Sequence, residues 1–568
     1  MRERLIAVIA FGCAAWLLLV FVWPVALVIR GGFIVDGTLT WRYLAHVFIN
    51  PVYREGLRNS LGIALGTTAL AMVLAMPLAW LAHRFEFRGK GALSALILVP
   101  MILPPFVGAI GLQQMLGAYG MVNSLFGLGP VDWLGRARVW GVIVLQALGL
   151  YPILYLNAVA ALANVDPAME ESAANLGAGV WRRFVRITLP LMAPGLFAGG
   201  TIVFIWSFTE LGTPLMLNYN RCASVQIYDA LKDIGTSPFP YALVSVVLGV
   251  SVLMYSLGRF LFGRNAFAMQ SRAATAFSAR RLDGGGGLLA ALPFVLVTAV
   301  ALLPHAGVVL TSLSGPGTWY RAVLPEVITT ANYADALGHP MSLGGIRNSL
   351  IFSTLAVLLD LVLGVCMAYV IVRSRSRWRH VLDALAVLPL AVPGLIMAFG
   401  YLAVSAYLSN MPWVRESDFW PVLFDVRVNP TFLLVTAYAV RRLPYMVRSA
   451  VAGLQQTAEV YEEAAANLGA RPAVRVRRII MPLISANIVA GAVLAFSFCM
   501  LEVSDSLMLA QRADFYPITK TIYELFQLIG TGRYLASALG VWAMFFLATT
   551  LVGASVLLGK RLGALFRV

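Results

Sequence analysis

Two glutamates, Glu210 and Glu502, place ionisable side chains within long apolar stretches, where a carboxylate could bind a charged solute. Each lies near the predicted outer end of a long apolar stretch, and they are 292 positions apart in a chain of 568 residues. Ionised carboxylates inside a membrane are costly unless paired or hydrated, so they are functional candidates. Two facing carboxylates could attract a hard or polyvalent cation, because hard cations prefer oxygen ligands. The alternative is a structural role, in which they pair with backbone amides or with Arg221 and Arg512.

Four other polar residues interrupt apolar stretches. Gln113 and Gln114 lie near the predicted outer end of the third stretch and are weaker candidates for lining a substrate pathway. Asp360 and Asp383 have no acidic counterpart at the matching places of the first half of the chain. We therefore interpret these two aspartates as structural.

The sequence contains no motif for catalysis or for a resident metal ion. Its four cysteines are scattered, and its five histidines lack the spacing of metal ligands. A phosphate-binding loop requires G-x4-G-K-[ST] after a strand. The nearest string, 553–561, has five intervening residues and ends in arginine within an apolar stretch. We expect no cofactor in this chain, so ATP and Mg²⁺ would have to be bound by another subunit.

The composition is that of an all-α, polytopic membrane protein. Hydrophobic residues make up 60% of the chain, only 12% is charged, and the mean hydropathy is +0.82. A spanning helix needs about 20 apolar residues, and about twelve such stretches are present. The predicted spans are 5–29, 59–83, 93–116, 139–163, 191–217, 241–263, 288–312, 348–372, 381–408, 430–454, 483–509 and 534–558.

The net charge of +16 fits a membrane orientation better than nucleic-acid binding. The short loops after even-numbered spans carry dense arginine clusters, as at 182–186 and 471–478. By the positive-inside rule these loops are cytoplasmic. Both termini are then predicted to be cytoplasmic, in the inner membrane of a bacterial cell. The first apolar run lacks an A-x-A cleavage site, so we expect a retained helix and not a signal peptide.

The two halves of the sequence repeat one pattern. The tetrapeptide R-N-S-L at 58–61 returns at 347–350, and the pair Pro100 and Pro104 returns as Pro389 and Pro393. A proline within a span can form a simple kink, but its recurrence in both halves favours a broken, pathway-lining helix. Six spans in each half is an even number, so the repeat is parallel and its axis runs along the membrane normal. The predicted units are a first repeat at 1–263 with core 59–263, a cytoplasmic linker at 264–287, and a second repeat at 288–568 with core 348–558.

Two charged loops, 166–190 and 458–482, share the same residue spacing. In the first, Asp166 begins a short helix of good helix formers, and Gly177 fits the position after the helix end. Small residues such as Ala173 give this helix a face that another protein can approach closely. The recurrence of the spacing favours a pair of docking elements over an ordinary amphipathic connector.

The two charged loops resemble the E-A-A-x3-G-x9-I-x-L-P motif in permease subunits of ATP-binding-cassette importers. Ser172 replaces the first alanine in one copy, and Met481 replaces leucine in the other. In that family the motif forms a coupling helix that docks on an ATPase subunit. The resemblance therefore implies ATPase-coupling roles for seven residues: Glu171, Ala173, Gly177, Glu463, Ala464, Ala465 and Gly469.

The resemblance is to the fused, double-length members of the type I importer fold. It implies two copies of an ATPase subunit, a periplasmic substrate-binding protein and surrounding lipid as partners, and no nucleic acid. Members of this group serve ferric iron, thiamine or 2-aminoethylphosphonate, and are related to polyamine importers. Ferric iron is the favoured cargo, since paired glutamates suit it. The alternative from another class is an ion-coupled secondary transporter, against which the paired motif argues.

Overall fold

The computed structural model describes residues 2–102, 105–135, 138–234, 236–269, 280–374 and 378–558. These residues are almost entirely helical, which confirms the predicted all-α class. Two short strands, β1 (Ile34–Val35) and β2 (Thr38–Leu39), pair antiparallel in an outer loop. Two others, β3 (Phe85–Glu86) and β4 (Arg280–Arg281), pair in parallel and join the end of the linker to the first half.

The first half contains fifteen α-helices within the described residues. Their bounds are α1 Arg2–Leu17, α2 Trp23–Phe33, α3 Arg42–Ile49, α4 Pro51–Arg84, α5 Lys90–Leu96, α6 Val99–Ile102, α7 Pro105–Leu116, α8 Met121–Leu125, α9 Val139–Ala163, α10 Pro167–Asn175, α11 Val180–Arg183, α12 Leu189–Thr209, α13 Gly212–Met216, α14 Ala223–Asp229 and α15 Phe239–Met269. Short π-helical segments occur at Leu18–Val22 and Phe184–Thr188, and a 3-10 segment occurs at Ala230–Asp233.

The described part of the second half adds fourteen α-helices. Their bounds are α16 Gly285–Leu313, α17 Ala331–Gly338, α18 Pro340–Arg373, α19 Trp378–Val387, α20 Gly394–Ser409, α21 Pro412–Arg415, α22 Trp420–Phe424, α23 Thr431–Gln456, α24 Val460–Asn467, α25 Pro472–Arg475, α26 Met481–Met500, α27 Ser504–Leu509, α28 Ile518–Phe526 and α29 Gly532–Leu558. A π-helical segment occurs at Val476–Ile480, and 3-10 segments occur at Leu388–Leu390 and Ala513–Phe515.

Length and composition agree with a polytopic membrane protein of about twelve spans. Eight described helices are long and apolar enough to cross a membrane, and ten are reached if two sharply bent pairs each count as one. The other two predicted spans fall on α23 and α29, of 26 and 27 residues. Helix α23 is less apolar because it carries Arg441, Arg442 and Arg448.

The two bends confirm that the repeated prolines mark broken spans. The segments Trp378–Leu390 and Gly394–Ser409 meet at 101°, with Pro393 between them. The corresponding first-half segments meet at 95°, and Pro104 at that break lies outside the described residues. A proline removes a backbone donor and clashes with the preceding turn, so it favours a break at this point.

Equivalent helices pack alike, but the first span of each half crosses to the other half. Helices α4, α9 and α12 form one bundle, and α18, α23 and α26 form its counterpart. Helices α1 and α2 pack on α18, α19 and α20, whereas α16 packs on α7. At that crossing Gly111 is required, since a Cβ there would lie 1.9 Å from the carbonyl oxygen of Pro304.

The predicted linker is partly ordered at its end. Helix α16 begins at Gly285, so the last three residues of the predicted linker, 285–287, belong to its first turn. The amide of Leu282 also donates to the carbonyl oxygen of Glu86 at 2.8 Å. Residues 270–279 and 559–568 lie outside the described residues, so the cytoplasmic placement of linker and termini stays a prediction.

Candidate functional site

The first charged loop forms a short helix that is closed at both ends. The side chain of Asp166 accepts a hydrogen bond from the amide of Ala168 at 2.9 Å and so caps α10. After the helix, Gly177 has φ +78°, and its amide donates to the carbonyl oxygen of Ala174 at 2.9 Å. A left-handed glycine at this place ends the helix cleanly, as the sequence predicted.

The second charged loop repeats this geometry with different residues at its start. Gly469 has φ +81°, and its amide donates to the carbonyl oxygen of Ala466 at 3.0 Å. Helix α24 begins without a side-chain cap at Glu459. The motif residues Ala464 and Ala465 lie on this helix, as Ala173 lies on α10.

The short helix of each charged loop is followed directly by a leucine that is almost completely exposed. Leu176 and Leu468 are each 88% exposed and occupy equivalent places 292 positions apart. The motif glutamates, Glu171 and Glu463, are exposed beside them. Exposed apolar side chains that recur in both halves near charged side chains indicate a protein-binding surface. Neither leucine was predicted as a functional residue, although the position directly before the glycine in both copies is a signal that could have identified them.

The glutamate before each motif glutamate attaches the charged loop to a long helix. In the first half, Glu170 pairs with Arg84 at 3.1 Å and accepts a hydrogen bond from Thr188. In the second, Glu462 pairs with Arg373 at 2.7 Å, and both side chains are almost completely buried. Each loop helix is thereby fixed to the end of α4 or α18, while the motif glutamates, Glu171 and Glu463, form no ion pair with any described residue.

We predict that Arg373→Gln loosens the second charged loop, because it leaves the buried charge of Glu462 without its arginine. Breaking a buried ion pair costs about 3–5 kcal/mol. Amide hydrogen exchange in α24 should accelerate by at least about tenfold while α10 is unchanged. The control Arg448→Gln removes a half-exposed partner of Asp383 (3.1 Å) and should leave both helices as they are. Equal exchange in α24 of Arg373→Gln and of the native protein would contradict the anchoring role.

Glu210 and Glu502 line one cavity between the two halves. This cavity has a volume of about 220 Å³ and is bounded by α9, α12, α20, α23 and α26. Gln146, Trp206 and Tyr445 are among its other lining residues. The structure therefore brings together the two carboxylates that the sequence placed at matching positions.

The two carboxylates have different surroundings. Glu502 is buried and forms ion pairs with Arg441 and Arg442, and Arg441 also lies 3.3 Å from Asp505. The first-half residues that match Arg441 and Arg442 are Gly149 and Leu150. Because neither can form an ion pair, Glu210 has no equivalent of the arginine pair that contacts Glu502.

Glu210 instead receives neutral hydrogen bonds. The backbone amide of Thr213 donates to it at 2.9 Å, and the side-chain amide of Gln146 donates at 3.3 Å. None of the ion pairs among described residues includes Glu210. Of the structural alternative, the contact with a backbone amide is present at Glu210. The contact with Arg221 or Arg512 is not, because these arginines pair with Glu55 at 3.4 Å and Asp514 at 2.9 Å.

The remaining predicted residues lie elsewhere. Gln113 and Gln114 line a separate cleft on the predicted outer side, where their side-chain amides donate to the carbonyl oxygens of Met216 (2.6 Å) and Trp319 (2.7 Å). A role for these glutamines in contacting cargo stays a prediction. Asp360 is fully buried in α18, and neither of its carboxylate oxygens has a hydrogen-bond partner among the described residues.

A lysine lies at a contact between the halves, on the predicted outer side of the cavity. Lys520 on α28 is buried, and its ammonium group lies 3.4 Å from the hydroxyl of Tyr228 on α14. The rings of Tyr516 and Tyr523 lie 5.4 and 5.5 Å from the same nitrogen atom. The repeat offset here is 295, since the amides of Ala223 and Ile518 make the same hydrogen bond to Ser60 and Ser349. Lys520 therefore corresponds to Val225, and this lysine was not predicted from the sequence.

No group of three or more histidine, cysteine, aspartate or glutamate side chains is placed to hold a metal ion anywhere in the described ranges. The polar residues around the cavity are suited to brief contact with a charged solute. Carboxylates and guanidinium groups at a boundary between two repeated helix bundles are typical of a transport pathway.

Comparison with known protein families agrees with this arrangement. Residues 71–306 and 360–561 match the family described as the binding-protein-dependent transport system inner membrane component. The chain belongs to this family. Both charged loops fall within the matched ranges, one in each half. Membership identifies the chain as the membrane permease of an importer of the ATP-binding-cassette class and not as an enzyme.

Several curated permeases are similar to this one. A putative ferric transport system permease protein, FbpB 1 of Haemophilus influenzae, is 26% identical over 83% of this chain and 71% of its own length. The ferric transport system permease protein FbpB of Actinobacillus pleuropneumoniae is 26% identical over 81% of this chain and 64% of its own length. The molybdenum transport system permease protein ModB of Escherichia coli K12 is 33% identical over 34% of this chain and 89% of its own length.

Proposed function

We propose that this permease forms the transmembrane pathway of an ATP-driven importer for ferric iron, which a periplasmic binding protein delivers. The cavity between the halves carries the proposal, because Glu210 faces it without a cationic partner among the described residues. A carboxylate oxygen is a suitable transient ligand for a hard cation. The names of the two relatives that are similar over most of this chain support ferric iron as the cargo.

Two copies of an ATPase subunit dock on the charged loops in this proposal. Leu176 and Leu468 enter a cleft on each ATPase, and Glu171 and Glu463 contact its polar rim. ATP and Mg²⁺ are bound by those subunits. Their closure draws the two loops together, and the anchors at Glu170 and Glu462 pass the movement to α4 and α18. The protein lies in the inner membrane with both termini in the cytoplasm.

The contact at Lys520 is the outer closure of the pathway in the same proposal. It joins α14 of one half to α28 of the other through a hydrogen bond and a cation–π contact between Lys520 and Tyr228. Rocking of the halves would separate these helices and admit cargo to the cavity from outside. Hydrolysis of ATP would then restore the contact. An ion-coupled secondary transporter is not favoured, because the matched family consists of binding-protein-dependent systems.

An anionic cargo such as 2-aminoethylphosphonate is the second candidate. Arg441 and Arg442 line the same cavity as Glu210, and guanidinium groups bind phosphate-like anions well. Both arginines are already paired with Glu502, which lowers their availability for an anion. We place this candidate second for that reason.

Cargo identity can be tested on the cognate binding protein. We expect the purified protein to contain ferric iron and to drive ATP-dependent uptake of radiolabelled iron into proteoliposomes that hold the permease and ATPase. A tenfold excess of 2-aminoethylphosphonate should leave iron uptake unchanged. A copurifying phosphonate, together with its uptake, would replace iron by the second candidate.

A further inference from the structure

A polar cleft opens on the predicted outer side, apart from the cavity that contains Glu210. Its volume is about 460 Å³. The end of α7, the loop before α9, the loop after α16 and the start of α29 form its walls. Both halves therefore contribute to it. The proposed function does not use this cleft.

Three arginines without carboxylate partners surround the cleft. Arg138 and Arg533 line it, and Arg321 lies at its rim above the ring of Tyr119 at 4.8 Å. None of the ion pairs found between described residues includes any of the three. Asp132 is the one carboxylate among the described lining residues. The cleft therefore has a positive balance that suits an acidic occupant.

Hydrogen bonds hold the arginines and walls in place before anything binds. Arg533 donates to the side-chain oxygen of Gln114 at 3.0 Å, and Arg138 donates to the carbonyl oxygen of Leu217 at 2.8 Å. The amide of Gly317 donates to the hydroxyl of Tyr534 at 2.8 Å, which links two walls. A preformed site loses less conformational entropy when a partner binds.

The equivalent place in the other half has different residues. Gln113 and Gln114 correspond to Leu402 and Ala403. The neighbouring outer region of the second half is aromatic, with Trp420 packed against Trp413 and stacked on Phe424. The cleft is thus polar and basic, whereas the corresponding outer region of the second half contains a cluster of aromatic side chains. A partner that covers both sides would be bound in a single orientation.

We propose that this cleft receives an acidic segment of the periplasmic binding protein and so determines which of its lobes lies over which half. The inference rests on the proposed function, since it takes the binding protein as the partner. Charge complementarity identifies the segment as one that presents aspartate or glutamate side chains. The tyrosines and tryptophan of the walls add apolar area for its backbone.

The test is charge reversal at the cleft with a matched control on the other half. Arg321→Glu and Arg138→Glu should each weaken binding of the cargo-loaded binding protein to permease in nanodiscs by at least about tenfold at low salt. Raising the salt concentration should shrink this difference. The control Arg415→Glu makes the same change at an exposed arginine of α21 and should alter the affinity less than about twofold.

Further measurements separate the outcomes. Arg533→Gln removes a charge while it keeps an amide donor for Gln114, so it should weaken binding without loss of thermal stability. An acidic-to-basic change in the docked segment of the binding protein should restore affinity for Arg321→Glu. Equal affinities for the cleft variants and the control would overturn this inference while the proposed function stands. Binding of a free dicarboxylate in the cleft, with no effect on the binding protein, would also overturn it. Failure of native permease to respond to the binding protein at all would overturn the proposed function itself.

Discussion

Replacing both Leu176 and Leu468 by glutamine should release the ATPase subunits from a permease that still folds normally. Each leucine is 88% exposed, so its replacement removes no internal packing. Burying a leucine in a partner contributes about 1.5–3 kcal/mol. Loss of one leucine should then weaken docking by roughly tenfold to a hundredfold, and loss of both should abolish copurification. The measurement is ATPase binding to detergent-solubilised permease.

Leu39→Gln is the matched control, because Leu39 is also well exposed but lies in the predicted outer loop. We expect this variant to bind the ATPase as the native protein does. The single variants Leu176→Gln and Leu468→Gln should fall between the native protein and the double variant. Undiminished ATPase binding by the double variant would show that the leucines do not contribute to docking of the ATPase subunits.

Glu210→Gln should reduce transport, whereas Glu502→Gln should reduce stability, although the two residues occupy matching places. Glutamine at 210 still accepts the hydrogen bond from Thr213, so the fold is kept while the charge is lost. With a ferric cargo, uptake should fall by at least about tenfold, and basal ATP hydrolysis should persist. Glutamine at 502 leaves Arg441 and Arg442 without their main partner, which costs about 3–5 kcal/mol.

Thermal unfolding and uptake distinguish these effects. Glu502→Gln should lower the unfolding temperature, and Glu210→Gln should not. Asp383→Asn is the control, since it removes a half-exposed partner of Arg448 and should change neither quantity. Unchanged iron uptake by Glu210→Gln would remove the main support for a cationic cargo.

The large-scale fold follows from patterns that repeat along the sequence. Apolar stretches of about 20 residues predicted the spans. The prolines at 389 and 393 predicted a break, which the structure shows as a 101° bend. The glycines after α10 and α24 predicted the helix ends, because a left-handed residue is favoured there and both have positive φ. These features depend on residues close together in the chain.

Features that depend on distant residues were not predictable in the same way. Arg441 and Arg442 occur in a stretch that was predicted as a membrane span. Only the packing of helices brings them to Glu502, which is 60 positions from Arg442. The exchange of first spans between the halves depends on close helix crossing at Gly111, which has no local signature. Lys520 likewise becomes notable only when α14 and α28 meet.

ATP-dependent uptake into proteoliposomes tests most directly whether the halves of this chain form a pathway driven by docked ATPase subunits. The vesicles would contain the permease with its ATPase, and the cargo-loaded binding protein would be supplied outside. We predict uptake by the native protein and by Leu39→Gln, and none by the Leu176→Gln, Leu468→Gln double variant. Uptake that continues in the double variant, or that needs an ion gradient in place of ATP, would contradict the account.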